Sequence, residues 1–433
     1  MSGASWAAGL ARRLPFYYGW VVLAAVCCAG IARTGPAVAT LSLFVEPMTA
    51  EFGWSRTAMA GAVSLGGVLA ALTSPMIGTM LDAKGPRVIL TLAVLTTGLT
   101  ILALSGIGSL LAFYLLFCIA RMNFAGPFDL GIHGAVTNWF VRRRPLASSI
   151  ATLAGMVGLT IMPLVAHFAM EHGGWRTGWL AIGAVVLCVG LLPSWLLVAR
   201  RPEDFGLLPD GAKHPSASHG AGTTSPSPST PEPSFTRAEA LATPAFWLLS
   251  LYTLLIYPVQ AGMSLHQAAH LVERGLGTAV AVTSVTTFSV TSGIVGLAFG
   301  LALRRVGVRI GLAVSGLALC ASAVLMARAS TPLEAITAAG LFGAGMGGIH
   351  TGLPVAWADY FGRRSFGAIR GVALAIQVAA QAAGPLLSGV LRDWTGSYAS
   401  SLATFSALAA VATLAALLIR APRPPGESSP API

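Results

Sequence analysis

The sequence predicts an all-α membrane protein with twelve transmembrane helices in two pseudo-symmetric six-helix halves, and three observations predict it. Only 9% of the 433 residues are charged and 55% are hydrophobic, with a mean hydropathy of +0.76, whereas a soluble domain carries roughly 25% charge. Apolar stretches of about 20 residues or more, long enough to span a bilayer, lie at 18–45, 57–80, 88–107, 110–137, 146–169, 178–199, 245–270, 279–303, 310–327, 333–358, 367–391 and 397–419. The chain also repeats itself. Gly78 to Arg87, GTMLDAKGPR, returns 222 residues later in damaged form as Gly300 to Arg309, GLALRRVGVR, and Trp139 to Arg143 returns as Tyr360 to Arg364.

Residues 4–14 read as a short interfacial helix. Arg12 and Arg13 then precede the first apolar run, which is too long for a signal peptide and has no small-residue cleavage site, so it is retained as the first span. Six spans fill 1–199, the N-terminal half. Residues 200–243, with HPSASHGAGTTSPSPSTPEPS at their centre, are too polar to build a core and read as a flexible linker. Six further spans fill 244–420, the C-terminal half, and 421–433 form a tail. Cys27, Cys28, Cys118, Cys188 and Cys320 all fall inside apolar segments without metal-ligand spacing and read as packing residues.

The net charge of +11 does not indicate nucleic acid, because the basic residues cluster at segment ends and no soluble domain presents a patch. With the N-terminus inside, nineteen Lys and Arg fall on the inner side, Arg370 counted among them, and five outside. That bias places both termini and the linker in the cytoplasm of a plasma membrane, the inner membrane in a Gram-negative bacterium. Internal duplication in so apolar a chain is the mark of a secondary transporter with its binding site between two halves.

The loop GxxxDxxGxR between the second and third segments resembles the signature loop of the major facilitator superfamily, and the twelve-helix layout with a long central linker is similar to that fold throughout. FYYGW at Phe16 to Trp20, EFGWSR at Glu51 to Arg56, NWFVRRRPLA at Asn138 to Ala147 and DYFGRRSFGAIRG at Asp359 to Gly371 resemble motifs of its monocarboxylate and oxalate/formate-type porters. The resemblance implies that the Gly78 loop latches the halves on the cytoplasmic side against the start of the eleventh helix, near Gly367 and Gly371. It also implies that the fourth helix faces the cavity. The chain departs from those porters in the eighth segment, Ala279 to Leu303, which has no charged residue, and in having Val38 where a first-helix lysine would stand.

Read physically, Gly78 and Gly85 allow close backbone approach and a tight turn, Asp82 suits a helix N-terminus, and Arg87 closes the motif. These four are the gating residues. In the second copy Arg304 replaces the acid, so only the first latch is expected to be strong. An ordinary polar turn is the bland alternative.

Charge inside a membrane is expensive, so intramembrane ionisable groups point to function. Arg33 lies in the first segment, and Arg121 and Asp129 lie eight apart on the fourth, on nearly one helical face. Either a buried Arg121–Asp129 or Arg33–Asp129 pair merely orients helices, or the surplus cation binds a carboxylate substrate through its guanidinium fork. On the second reading Arg121 is the first anion ligand and Arg33 the second, while Asp129 carries a coupling proton. His350 occupies the repeat position of Asp129 and is either a ligand or a core histidine. His266, Gln260 and Tyr257 in the seventh segment complete the substrate-binding set; His133 and His167 are left out as lying towards helix ends.

No metal site is expected, since His266 and His270 lack a third ligand. No coherent Ser-His-Asp or Cys-His site suggests an enzyme, no cofactor is indicated, and Gly343 to Gly348 lacks the strand and lysine of a nucleotide loop. The expected activity is secondary transport of small organic anions of the monocarboxylate type, proton-coupled or by exchange, in a monomer. An exporter of amphiphilic compounds and a non-transporting membrane sensor are the alternatives.

Overall fold

The computed structural model describes residues 3–212 and 234–423. In chain order the helices are α1 (Gly3–Arg13), α2 (Gly19–Arg33), α3 (Val38–Phe52), α4 (Arg56–Lys84), α5 (Pro86–Leu104), α6 (Leu110–Ala125), α7 (Pro127–Trp139), α8 (Arg144–Leu196), α9 (Arg237–Leu241), α10 (Pro244–Glu273), α11 (Gly277–Val306), α12 (Val308–Arg328), α13 (Pro332–Phe361), α14 (Phe366–Thr395) and α15 (Ala399–Leu418). Among the described residues ten segments are long and apolar enough to cross a membrane, with α2 and α3 counted as one and α6 and α7 as another. The long α8 turns back at Gly173 and Gly174, whose backbone is non-helical, and so crosses twice. With α13, whose glycine-rich middle dilutes its hydropathy, the bundle has twelve crossings.

Local chemistry sets the boundaries. Ser55, Ser109 and Thr243 cap α4, α6 and α10 by accepting a backbone N–H, and Thr331 with Glu334 forms a capping box on α13. Gly85 (φ 84°) ends α4 and its repeat partner Gly307 (φ 82°) ends α11, so both copies of the motif turn in the same way. The middle of the expected linker, residues 213–233, and most of the expected tail, residues 424–433, lie outside the described residues. The first part of the linker makes short 3-10 turns at Pro202–Phe205 and Pro209–Gly211.

Each half buries its own apolar core, one drawn from Ala7 to Ala199 and the other from Phe235 to Ile419. Between them α4 packs on α14, and α8 packs on α11 and α13. The α4–α14 approach is backbone to backbone: a Cβ on Gly78 would stand 2.0 Å from the Gly367 carbonyl oxygen, and one on Gly371 2.5 Å from that of Ser74. Only glycine fits at either place.

Ion pairs sort by end. Near the linker they tie the halves together: Arg144 Nη1 of the N-terminal half meets Asp359 Oδ1 of the C-terminal half at 2.6 Å, and Arg363 meets Glu203 at the start of the linker at 2.6 Å. The repeated motifs therefore face one another, Arg144 from the first copy and Asp359 from the second. At the opposite end the pairs stay within a half, Glu51 with Arg176 at 2.6 Å and Glu273 with Arg392 at 2.9 Å. There α2 and α3 form no packed interface with α10. The two halves are thus tied together by side chains at the linker end, whereas the ion pairs at the opposite end do not bridge them.

Candidate functional site

The first span is broken, and the break makes the site. α2 stops at Arg33, and 34–37 intervene before α3. Arg33 thus sits in the last turn of α2, where the helix dipole favours a cation, by up to about 2 kcal/mol when partly buried. The fourth span breaks likewise at Gly126, and Asp129 falls in the first turn of α7, the end that favours an anion. The same break frees the Phe124 carbonyl at the end of α6, which accepts from Arg33 Nε at 2.8 Å. Broken helices that present their termini at mid-membrane are the usual means of holding charge there.

Asp129 is gripped from both halves. Arg33 Nη1 lies 3.6 Å from its Oδ2, and Arg370 Nη2, from the second turn of α14, lies 3.3 Å from its Oδ1. Arg370 also donates to Gln377 Oε1 at 2.7 Å. Its side chain is 1% exposed, whereas that of Arg33 is 24% exposed. His133, one turn along α7, brings its Nε2 to 4.0 Å from Asp129. Nε and Nη1 of Arg370 are buried without a protein partner.

The structure thus brings Arg33 to Asp129, with Tyr257 and His350 within electrostatic reach of the group. It does not form the expected Arg121–Asp129 face, because Gly126 interrupts the helix between them. The Arg121 stem instead lies against Gly66 of α4, and its guanidinium sits 4.4 Å from the centre of the Phe124 ring, which Arg33 shares at 4.7 Å. Gln260 accepts from Gln381 at 3.1 Å. His266 stacks on Tyr398 at 5.2 Å and lines a separate small chamber with Gln267, Ser388 and Ser401.

Two site residues escaped the sequence reading. Arg370 was counted with the cytoplasmic cations because it follows Arg363 and Arg364; its four-residue offset into an apolar segment was the available signal. His133 was set aside as lying near a helix end, although its i,i+4 spacing from Asp129 places it on the same face.

The gating loop splits. Asp82 accepts from the N–H groups of Gly367 and Ala368 at 2.8 and 2.7 Å, at the N-terminus of α14, and Gly78 makes the close contact described above. Arg87 turns away and stacks over Trp195 of its own half at 4.6 Å. In the damaged copy Gly300 still packs closely on Ser149 and Pro145, without an acid. Among the described residues no group of three or more His, Cys, Asp or Glu is placed to hold a metal.

A twelve-helix bundle with a charge cluster shared between its halves defines a class of two-half, multi-pass membrane proteins. The model of the Major Facilitator Superfamily matches residues 22–285, and the chain belongs to that superfamily. Among curated relatives it is 38% identical over 76 residues to monocarboxylate transporter 6 of Mus musculus, covering 16% of each chain. It is 28% identical over 201 residues to the membrane sensor protein UhpC of Salmonella typhimurium, 43% of this chain and 42% of that one. It is 27% identical over 205 residues to monocarboxylate transporter 4 of Rattus norvegicus, 46% of this chain and 42% of that one. The matched stretches span less than half the length of these relatives. In fold it is similar to the human organic anion transporter MFSD10 (TM-score 0.67, 15% identity, 93% of this chain and 100% of that one) and to the transporter FucP in its outward conformation (TM-score 0.68, 13% identity, 93% and 99%).

Proposed function

We propose that the chain transports small organic anions by alternating access, coupled to protons or by exchange. The observation that carries the reading is Asp129 held between Arg33 and Arg370 from opposite halves. Two arginines hold one acid, and Arg121 shares the Phe124 ring with Arg33, so positive charge is left over for a carboxylate. An arriving carboxylate competes with Asp129 for the guanidiniums, and a proton on Asp129 concedes them. The pair between Asp129 and Arg370 must also part when the linker end opens, which ties the proton to the conformational change.

In this proposal 1–199 and 244–420 are the moving halves of a monomer, 200–243 the linker and 421–433 a tail. Both termini and the linker are cytoplasmic in the plasma membrane on this reading, which makes the cross-half contacts near the linker those of an outward-facing state. Kinship with monocarboxylate transporters supports the substrate class. Similarity to UhpC favours a second reading, a sensor that binds anions without moving them. Uptake of labelled carboxylates into proteoliposomes, with and without an inward-acid gradient, separates the two: a carrier accumulates a carboxylate, and a sensor binds it without accumulation.

A further inference from the structure

The two halves bring unlike groups to the neighbourhood of Asp129. The N-terminal half contributes Arg33 and Arg121, whereas the C-terminal half contributes neutral hydrogen-bonding groups around Arg370. Gln377 and Gln381 follow Arg370 on one face of α14, at spacings of seven and eleven, and Gln260 reaches Gln381 from α10 at 3.1 Å. Tyr257 lies one turn before Gln260, and His350 approaches from α13.

Each amide is only half used. Gln260 and Gln381 spend one oxygen and one nitrogen on each other, and Gln377 spends its oxygen on Arg370. Among the described residues no further hydrogen bond engages Gln260 Nε2, Gln377 Nε2, Gln381 Oε1 or the Tyr257 hydroxyl, and the buried Nδ1 of His350 has no partner. The wall thus offers donors and an acceptor within reach of a cationic floor. A simple alkyl chain pressed against it would displace water from these groups and return nothing, at about tenfold in affinity for each group stranded.

A hydroxyl both donates and accepts, so it matches such a wall, whereas an ammonium on the same body would be repelled by the arginines. We propose that the substrate is a polyhydroxylated carboxylate of the sugar-acid type. Its carboxylate faces Arg33 and Arg370, and its hydroxyls bond Gln260, Gln377, Gln381 and Tyr257. The proposal rests on the anion reading above and narrows it. Gln260 and Gln381 then determine specificity, because they set which bodies are accepted behind a common carboxylate head.

The test is ligand-induced thermal stabilisation of the full-length purified protein, at one pH and ionic strength, with propionate, lactate, glycerate, gluconate, hexanoate and the neutral polyol sorbitol. Affinity should rise along the hydroxyl series by about fivefold for each hydroxyl bonded. Gluconate should exceed hexanoate, its apolar size match, by tenfold or more, and sorbitol should bind weakly. In the Gln260→Leu, Gln381→Leu double variant the gluconate-to-hexanoate ratio should fall towards one. Unliganded melting checks that the variant is folded, and the wild-type series stands without it. Hexanoate binding as well as gluconate overturns the proposal and leaves the anion reading intact. Binding of sorbitol equal to that of gluconate, or of no carboxylate at all, overturns the anion reading and the proposal with it.

Discussion

The Asp129 carboxylate of the N-terminal half and the Arg370 guanidinium of the C-terminal half meet at 3.3 Å, two residues along α14 from the Ala368 N–H that Asp82 holds at 2.7 Å. One helix start therefore carries both the gate contact and a site cation. Opening the linker end must move α14 away from α4, and that movement withdraws Arg370 from Asp129. Gate and site are linked through a rigid turn rather than through a long chain of side chains.

Arg370→Gln should reduce carboxylate uptake at least tenfold, because it removes the buried cation that the C-terminal half supplies. Breaking a buried ion pair costs about 3–5 kcal/mol, and Arg33 remains to limit the loss of stability. Arg370→Lys should rescue poorly, since an ammonium cannot bond Gln377 and Asp129 with a planar fork. Uptake initial rates across the three proteins check this, and equal rates in Arg370→Gln would remove Arg370 from the site.

Gly371→Val and Gly78→Leu should shift the molecule towards the state open at the linker end, because neither side chain fits against the facing backbone. Asp82→Asn should shift it less, as an amide oxygen accepts the α14 N–H groups more weakly than a carboxylate. Accessibility of a cysteine introduced near Asn138 to a small thiol reagent reads the shift. Unchanged labelling with lost ligand affinity would mean that the loop belongs to the binding site rather than to the gate.

How much of this was legible in the sequence depended on the kind of signal. The twelve crossings and the two halves followed from apolar length and from the repeat, which are properties of long segments. The contact of Asp82 with the start of α14 was legible through the family resemblance of its motif, the glycines by themselves marking only a close approach and a tight turn. The breaks at 34–37 and at Gly126 were not, since an apolar segment reads as one continuous helix until tertiary partners compete for its backbone. Arg121 is therefore placed beside Asp129 by a periodicity that Gly126 interrupts, and Arg370 reads as a cation at the cytoplasmic end of its helix although it is 1% exposed and paired with Asp129 of α7.

Charge reversal at the motif-to-motif contact should be reciprocal. Arg144→Glu or Asp359→Arg alone should each slow transport, and the double reversal should recover part of the loss, with a coupling of about 0.5–3 kcal/mol. Recovery is partial because Arg144 also donates from Nε to the Phe140 carbonyl at 3.1 Å. Uptake rates for the four proteins form the cycle, and strictly additive losses would show that the contact does not govern closure.

Arg121→Gln should weaken anion affinity several-fold while leaving the response to a proton gradient in place. Its guanidinium adds to the field through the ring it shares with Arg33 but does not touch Asp129. Affinity is read by ligand-induced thermal stabilisation, and a lost gradient response would assign Arg121 to coupling instead.

The central claim is that Asp129 exchanges its two arginines for substrate when it takes up a proton. The most direct measurement compares wild type with Asp129→Asn in proteoliposomes, recording labelled carboxylate uptake under an inward-acid gradient and counterflow without one. The account predicts that wild type is accelerated by the gradient, whereas Asp129→Asn retains counterflow and loses the acceleration. Acceleration of Asp129→Asn equal to that of wild type would contradict it.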